Sequence, residues 1–207
     1  DLRYPLPFES RGEEGWFGPL KGLFVLPGEY TVKMMARGQE LLQTVEVRVD
    51  PQAKTTPDQL KARFDANLAV SELQRAFKES QKAVRDMDKE INRIKGVVKE
   101  KKDTPEEVNT LIKNFSKKFE EVKKAFMGGW GSPEFLIMDL AGQLQASTTK
   151  PTQAQMRSID HLMDGVEKNV EKLNAILTQD YPGFQKQLME KGIAAVSAEA
   201  IKPPQRK

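Results

Sequence analysis

The stretch from Thr56 to Lys99 constrains this chain more than any other. Apolar residues recur there every seven positions: Val70, Phe77, Val84, Ile91 and Val98 hold one place in the repeat. Leu73, Met87 and Ile94 hold the second, where Ser80 is the single polar lapse. Spacing of three and four residues lays a narrow apolar seam along one side of an α-helix. Beyond Pro57 no proline interrupts the stretch, and its only glycine is Gly96. At ~1.5 Å per residue the helix is roughly 60 Å long. No single short partner covers a seam of that length, so later segments must line up against it.

Capping signals mark where helices begin. Thr56-Pro57-Asp58-Gln59 places threonine at the N-cap, proline at the first helical position and glutamine at the third, a capping box. Thr104-Pro105-Glu106-Glu107 repeats it, Ser132-Pro133-Glu134 is a weaker version, and Thr152-Gln153-Ala154-Gln155 is the last. These starts predict four helices. The second, from Pro105 to Met127, carries Val108, Leu111, Phe115, Phe119, Val122 and Phe126 on one stripe and stops at Gly128-Gly129. The third, Pro133 to Ala146, is apolar over most of its surface and is expected to be the most buried. The fourth, Gln153 to Thr178, repeats the seam spacing through Met156, Ile159, Met163, Val166, Val170, Leu173 and Leu177. Tyr181-Pro182-Gly183 predicts a break, with a short helix from Phe184 to Glu190. The end, Lys202 to Lys207, is read as frayed.

The first fifty residues differ. Pro5, Pro7, Gly12, Gly15, Gly18, Pro19, Gly22, Pro27 and Gly28 punctuate them. Tyr30, Val32 and Met34 alternate with polar residues, as do Val45, Val47 and Val49, and Arg37-Gly38-Gln39 lies between as a turn. This is a β-hairpin pattern. Leu2–Tyr4 and Leu23–Leu26 are candidates for further short strands. An immunoglobulin-like sandwich needs about seven strands, so the segment reads as partial. Its apolar face must be covered by the helices or by strands from outside this sequence.

The runs Asp1-Leu2-Arg3-Tyr4-Pro5, Gly18-Pro19, Leu26-Pro27-Gly28-Glu29-Tyr30-Thr31-Val32 and Val45-Glu46-Val47-Arg48-Val49-Asp50-Pro51 resemble a segment of certain large exported bacterial proteins. Those proteins carry a sortilin-like β-propeller of Asp-box repeats, are often labelled glycosyl hydrolases, and continue through an immunoglobulin-like segment into a helical region. The resemblance implies export to the periplasm, cell surface or medium. It also implies that the propeller, with any activity it holds, is missing from these residues. Asp1 in place of methionine is read as the mark of a processed or excised chain.

Composition narrows the chemistry. The net charge is +3, and basic and acidic residues are interleaved, as in Lys89-Glu90-Ile91-Asn92-Arg93. A phosphate-binding surface needs clustered positive charge, so no nucleic-acid partner is expected. There is no cysteine, hence no disulfide or thiolate site, and no apolar run approaches the ~20 residues of a membrane span. His161, the only histidine, sits mid-helix beside Asp160 and Asp164. It lacks the further ligands of a metal site and the nucleophile of a triad, so it reads as a surface histidine. Glu13-Glu14 reads as loop and Glu106-Glu107 as helix-start charge rather than as the carboxylate pair of a glycosidase. The glycine-rich Met127-Gly128-Gly129-Trp130-Gly131-Ser132 lacks the strand and Lys-Ser/Thr ending of a phosphate loop. It reads as a tight turn with Trp130 plugging the bundle end, or alternatively as a binding aromatic. Trp16 and Phe17, in a loop, join Trp130 as the possible interaction surface.

The chain is therefore expected to be mainly α with a small β part: an antiparallel helical bundle with one long heptad helix, preceded by a partial immunoglobulin-like β segment. Its division is residues 1–50, the β segment; 51–56, a linker; 57–178, a four-helix bundle; and 179–207, a short helix and tail. No catalytic residue, metal or cofactor is expected. The reading is a non-catalytic protein-interaction module that docks to a protein partner or upstream domain completing the sheet. The alternative is an accessory or cleaved portion of a glycosidase or peptidase whose active site lies in the absent propeller. Homo-oligomerisation through the heptad seam is a further expectation.

Overall fold

The computed structural model of the protein describes residues 2–5, 14–15, 18–19, 22–101, 104–193 and 200–205. The chain is mainly helical with small antiparallel two-stranded sheets, and its long helix α1 runs Pro57–Glu100. The capping box forms as its residues require: Gln59 N–H donates to Thr56 Oγ1 at 3.3 Å, and Thr56 N–H to Gln59 Oε1 at 3.0 Å. Every seam residue from Val70 to Val98 is buried, Ser80 included, and the Ser80 hydroxyl donates to the Ala76 carbonyl at 2.7 Å. A hydroxyl satisfied by its own helix tolerates burial. The seam is thus filled within the chain.

The four expected helices are present, and they fill it as three legs. Helix α2 (Glu106–Lys123) and a one-turn 3-10 extension to Phe126 run back along the C-terminal half of α1, and α3 (Pro133–Gln145) continues along the N-terminal half. The order of cross-contacts fixes this direction. Lys123 pairs with Asp88 at 2.7 Å, Phe126 packs on Phe77, Glu134 pairs with Lys78 at 3.0 Å, and Arg63 donates to the Ser147 carbonyl. The second leg is therefore α2 and α3 end to end. The third is α4 (Gln153–Ala175), a π-helical turn (Ile176–Asp180) and α5 (Tyr181–Glu190), running parallel to α1. Along it Gln155 meets Gln143, Tyr181 meets Glu90, and Lys191 meets Glu107.

Pro182 does not break this leg. Proline lacks the N–H that would bond four residues back, and its ring crowds that carbonyl. The π-turn immediately before it shifts the ladder, with Tyr181 N–H bonding the Ile176 carbonyl. The apolar face then resumes one residue later through Tyr181, Phe184 and Leu188, all buried.

Three smaller expectations are also corrected. Thr104 does not cap α2, whose N-cap is Pro105 without a side-chain bond. Its hydroxyl instead lies 3.1 Å from the Val98 carbonyl and 3.2 Å from that of Lys101, satisfying the orphan end of α1 across a tight connection. Helix α3 is not buried all round: Ile137, Leu140, Ala141 and Leu144 are buried while Leu136 is exposed. The tail is not loose over residues 200–205. It turns back along the α1/α4 groove, where Ile201 packs on the core and Pro204 is buried.

At the other end, Arg3 and Phe24 form an isolated antiparallel bridge, with Tyr4 N–H to the Leu23 carbonyl at 2.8 Å. Tyr4 packs on Phe64 of α1, and Arg3 stacks over Phe24 while donating to Gln145 at the end of α3. Short strands β1 (Glu14–Gly15) and β2 (Gly18–Pro19) pair with each other. The main hairpin is β3 (Gly28–Ala36) with β4 (Gln39–Val47).

Candidate functional site: a projecting hairpin and an exposed tryptophan

Alternation along β3 and β4 sets the hairpin's register, and the turn locks it. Arg37 and Gly38 both have positive φ, 49° and 78°, which is the two-residue turn whose twist suits a hairpin. Ala36 therefore faces Gln39, Met34 faces Leu41, Val32 faces Gln43 and Tyr30 faces Val45. These pairs share one face, as the alternation predicts. The other face pairs Met35 with Glu40 and Lys33 with Leu42, so the tip is apolar on both sides. The strands are longer than expected toward the turn, and Val49 lies beyond the pairing.

The helices do not cover this hairpin. Every residue from Thr31 to Thr44 is exposed, including Met35 at 63 % and Leu42 at 61 %. Only the base is tied down, where the Tyr30 hydroxyl donates to the Leu26 carbonyl at 2.7 Å and Val45 and Val47 are half-buried. Among the described residues no third strand joins the sheet, so β3 and β4 each keep one open edge. A lone two-stranded hairpin is marginal in water, and exposed apolar clusters of this kind mark interaction surfaces.

Trp130 is not a plug. It is 91 % exposed, its ring resting against Phe135 at 4.6 Å. Gly129 and Gly131, with φ of 139° and 75°, carry the chain through the α2–α3 break in conformations that other residues rarely adopt, and Trp130 is held outward between them. Beneath this turn, Gln81 of α1 donates to the Phe126 carbonyl at 3.2 Å and to Glu134 at 2.9 Å. The break is thus anchored to the seam while its tryptophan faces solvent. Trp16 and Phe17 lie outside the described residues.

The remaining polar candidates do not converge among the described residues, outside which Glu13 and the Glu14 side chain lie. His161 is exposed on α4, and Glu106 and Glu107 occupy the first turn of α2, Glu107 paired with Lys191 at 3.3 Å. Among the described residues no group of three His, Asp or Glu side chains is placed to hold a metal ion. No helix there is long and apolar enough to cross a membrane.

One buried titratable group went unnoticed in the sequence. Tyr181 is buried where the third leg crosses α1, its hydroxyl 3.4 Å from Glu90, which Arg93 grips through two 2.7 Å bonds. Burial, reinforced by the Glu90 carboxylate, pushes its pKa from 10.0 up to about 12. A phenol that ionises later in the fold than in the unfolded chain removes stability as pH rises from about 10 to about 12. The Tyr181→Phe variant should therefore show a flatter alkaline limb in urea unfolding, losing roughly 1–3 kcal/mol less than the parent over that window. Parallel limbs would mean that Tyr181 titrates normally.

No family model, curated protein or solved structure matches the chain.

Proposed function

We propose that this chain is a non-catalytic protein-interaction module in which the three-legged bundle is a rigid stand and the β3–β4 hairpin the working part. The observation that carries this is the hairpin itself: apolar on both faces at its tip, open along both edges, and covered by none of the described residues. A strand added to such an edge gains main-chain hydrogen bonds, while Met34, Met35, Leu41 and Leu42 offer side-chain contact. Trp130, on the α2–α3 turn, is a separate, aromatic anchor. In this reading the partner is a strand-bearing protein or an upstream segment of a longer parent. The motif from Asp1 to Pro51 supports a parent of the exported, sortilin-like propeller kind, where this chain would be the part after the propeller.

Amide hydrogen exchange tests it. The chain alone is compared with the chain bound to a partner or extended by upstream strands. Protection of Val45 and its β3–β4 neighbours is expected to rise by a factor of ten or more while α1 changes little, about 1.4 kcal/mol per tenfold. Equal protection in both states would mean that the hairpin is already complete, and the proposal fails.

A further inference from the structure

The C-terminal segment lies in the groove between α1 and α4 in the manner of a bound peptide. The Asn174 side chain of α4 grips one residue of that segment on both sides. Its Nδ2 donates to the Ile201 carbonyl at 2.7 Å, and its Oδ1 accepts from the Ile201 N–H at 2.7 Å. A carboxamide used this way supplies the donor and acceptor that a neighbouring β-strand would supply, so it holds an extended backbone whatever the side chain. Two residues on, Arg75 of α1 donates to the Pro203 carbonyl at 3.2 Å, its guanidinium fixed by Glu72 at 3.1 Å and Glu79 at 2.8 Å. Selectivity then comes from two side chains: Ile201 packs on the core and Pro204 is buried, while Lys202 and Pro203 are exposed. Prolines at 203 and 204 also pre-order the segment, lowering the entropy lost on docking. An open groove of about 780 Å³ continues from Ile201 past Leu177, Met87 and Tyr181.

We infer that the α1/α4 groove is a peptide-binding site occupied in cis by the chain's own tail. The ligand it takes is an extended segment with an aliphatic residue followed, two and three places on, by prolines. The tail is a displaceable occupant rather than part of the bundle's core. This stands independently of the hairpin reading, since it involves neither β3 nor β4.

The test uses the full chain and a fluorescent peptide of the sequence Ala-Ile-Lys-Pro-Pro-Gln, read by anisotropy. A tethered tail competes at an effective concentration on the order of millimolar, so the parent should bind the peptide poorly. The double variant Ile201→Asp, Pro204→Asp disables the tail as a ligand and should bind the peptide at least roughly tenfold more tightly. Adding Asn174→Ala to that variant should abolish the gain. Equal binding by parent and double variant, or a gain indifferent to Asn174→Ala, overturns the inference. Hydrogen exchange of the unaltered chain guards against a variant that fails to fold. The Ile201 amide should open well before α1 does, whereas exchange only on global unfolding would make the tail part of the core and overturn the displaceable reading. A concentration-dependent dimer abolished by Asn174→Ala would make a second copy's tail the occupant and overturn the assignment to a separate peptide.

Discussion

Phe77→Asp should remove most of the stability of this protein. Phe77 is 2 % exposed, at the middle of the α1 seam, and its ring packs 5.6 Å from that of Phe126 where the second leg breaks. An aspartate there loses the aromatic burial and sets an unpaired carboxylate among apolar neighbours. The adjacent Lys78 cannot rescue it: it already engages Glu134, and that carboxylate repels a second one. The loss is expected to be several kcal/mol, against about 5–15 kcal/mol for a whole domain. Urea unfolding followed by circular dichroism reads it directly. Phe77→Leu, which keeps most of the volume, should cost far less and separates charge burial from simple truncation. A Phe77→Asp protein that melts like its parent would mean that the seam faces solvent and that the three legs do not close on it.

The elements that could be read in advance are those whose causes are local. The limits of α1 follow from Thr56-Pro57-Asp58-Gln59 and from an uninterrupted seam, both contained in the helix itself. Hairpin register is equally local, because alternation chooses the face and Arg37-Gly38 chooses the turn. What escaped were features set by distant partners. Thr104 fits a cap for α2 on pattern alone, yet its hydroxyl bonds the carbonyls at the end of α1. Large aromatics favour burial, which predicts a plug at Trp130. The two positive-φ glycines beside it direct the backbone, and they carry no hydrophobic signal. The Asn174 clamp joins residues 27 apart through a segment that lacks periodicity, so nothing in the sequence singles out Asn174. Exposure of the hairpin was open for a related reason: a strand pattern shows which face is apolar but not what comes to cover it.

The third leg was legible in principle. Its apolar residues alternate by four and three through Ile159, Met163, Val166, Val170, Leu173 and Leu177, then step four again to Tyr181 before resuming through Phe184 and Leu188. One extra residue in that rhythm is what a π-turn absorbs while keeping the face aligned, and the turn lies at Ile176–Asp180. Pro182 nevertheless predicts a break, because proline is the stronger local signal for a helix end. Residues 179–190 are thus a continuation of the bundle, not an appendage to it.

Phe184→Ala puts that correction to a quantitative test. Phe184 lies beyond the proline, is buried, and stacks on Phe115 of α2 with ring centres 4.3 Å apart and planes within 7°. Tyr181 packs against both rings, at 5.7 Å from Phe115 and 6.1 Å from Phe184. Truncation removes the transfer energy of a buried ring and leaves a cavity between α2 and α5. The expected cost is about 3–5 kcal/mol. The manner of unfolding is as informative as its size. If α4, the π-turn and α5 form one leg, probes in α1 and in α5 should lose structure together at a single lowered midpoint. If the segment after Pro182 is an appendage, α5 should unfold early while the midpoint reported by α1 stays that of the parent. Hydrogen exchange at Leu188 and at Ile94, both fully buried in the parent, distinguishes the two. Matched acceleration at both amides is the result expected of a continuous third leg, and acceleration at Leu188 alone would return the chain to a bundle that ends at the proline.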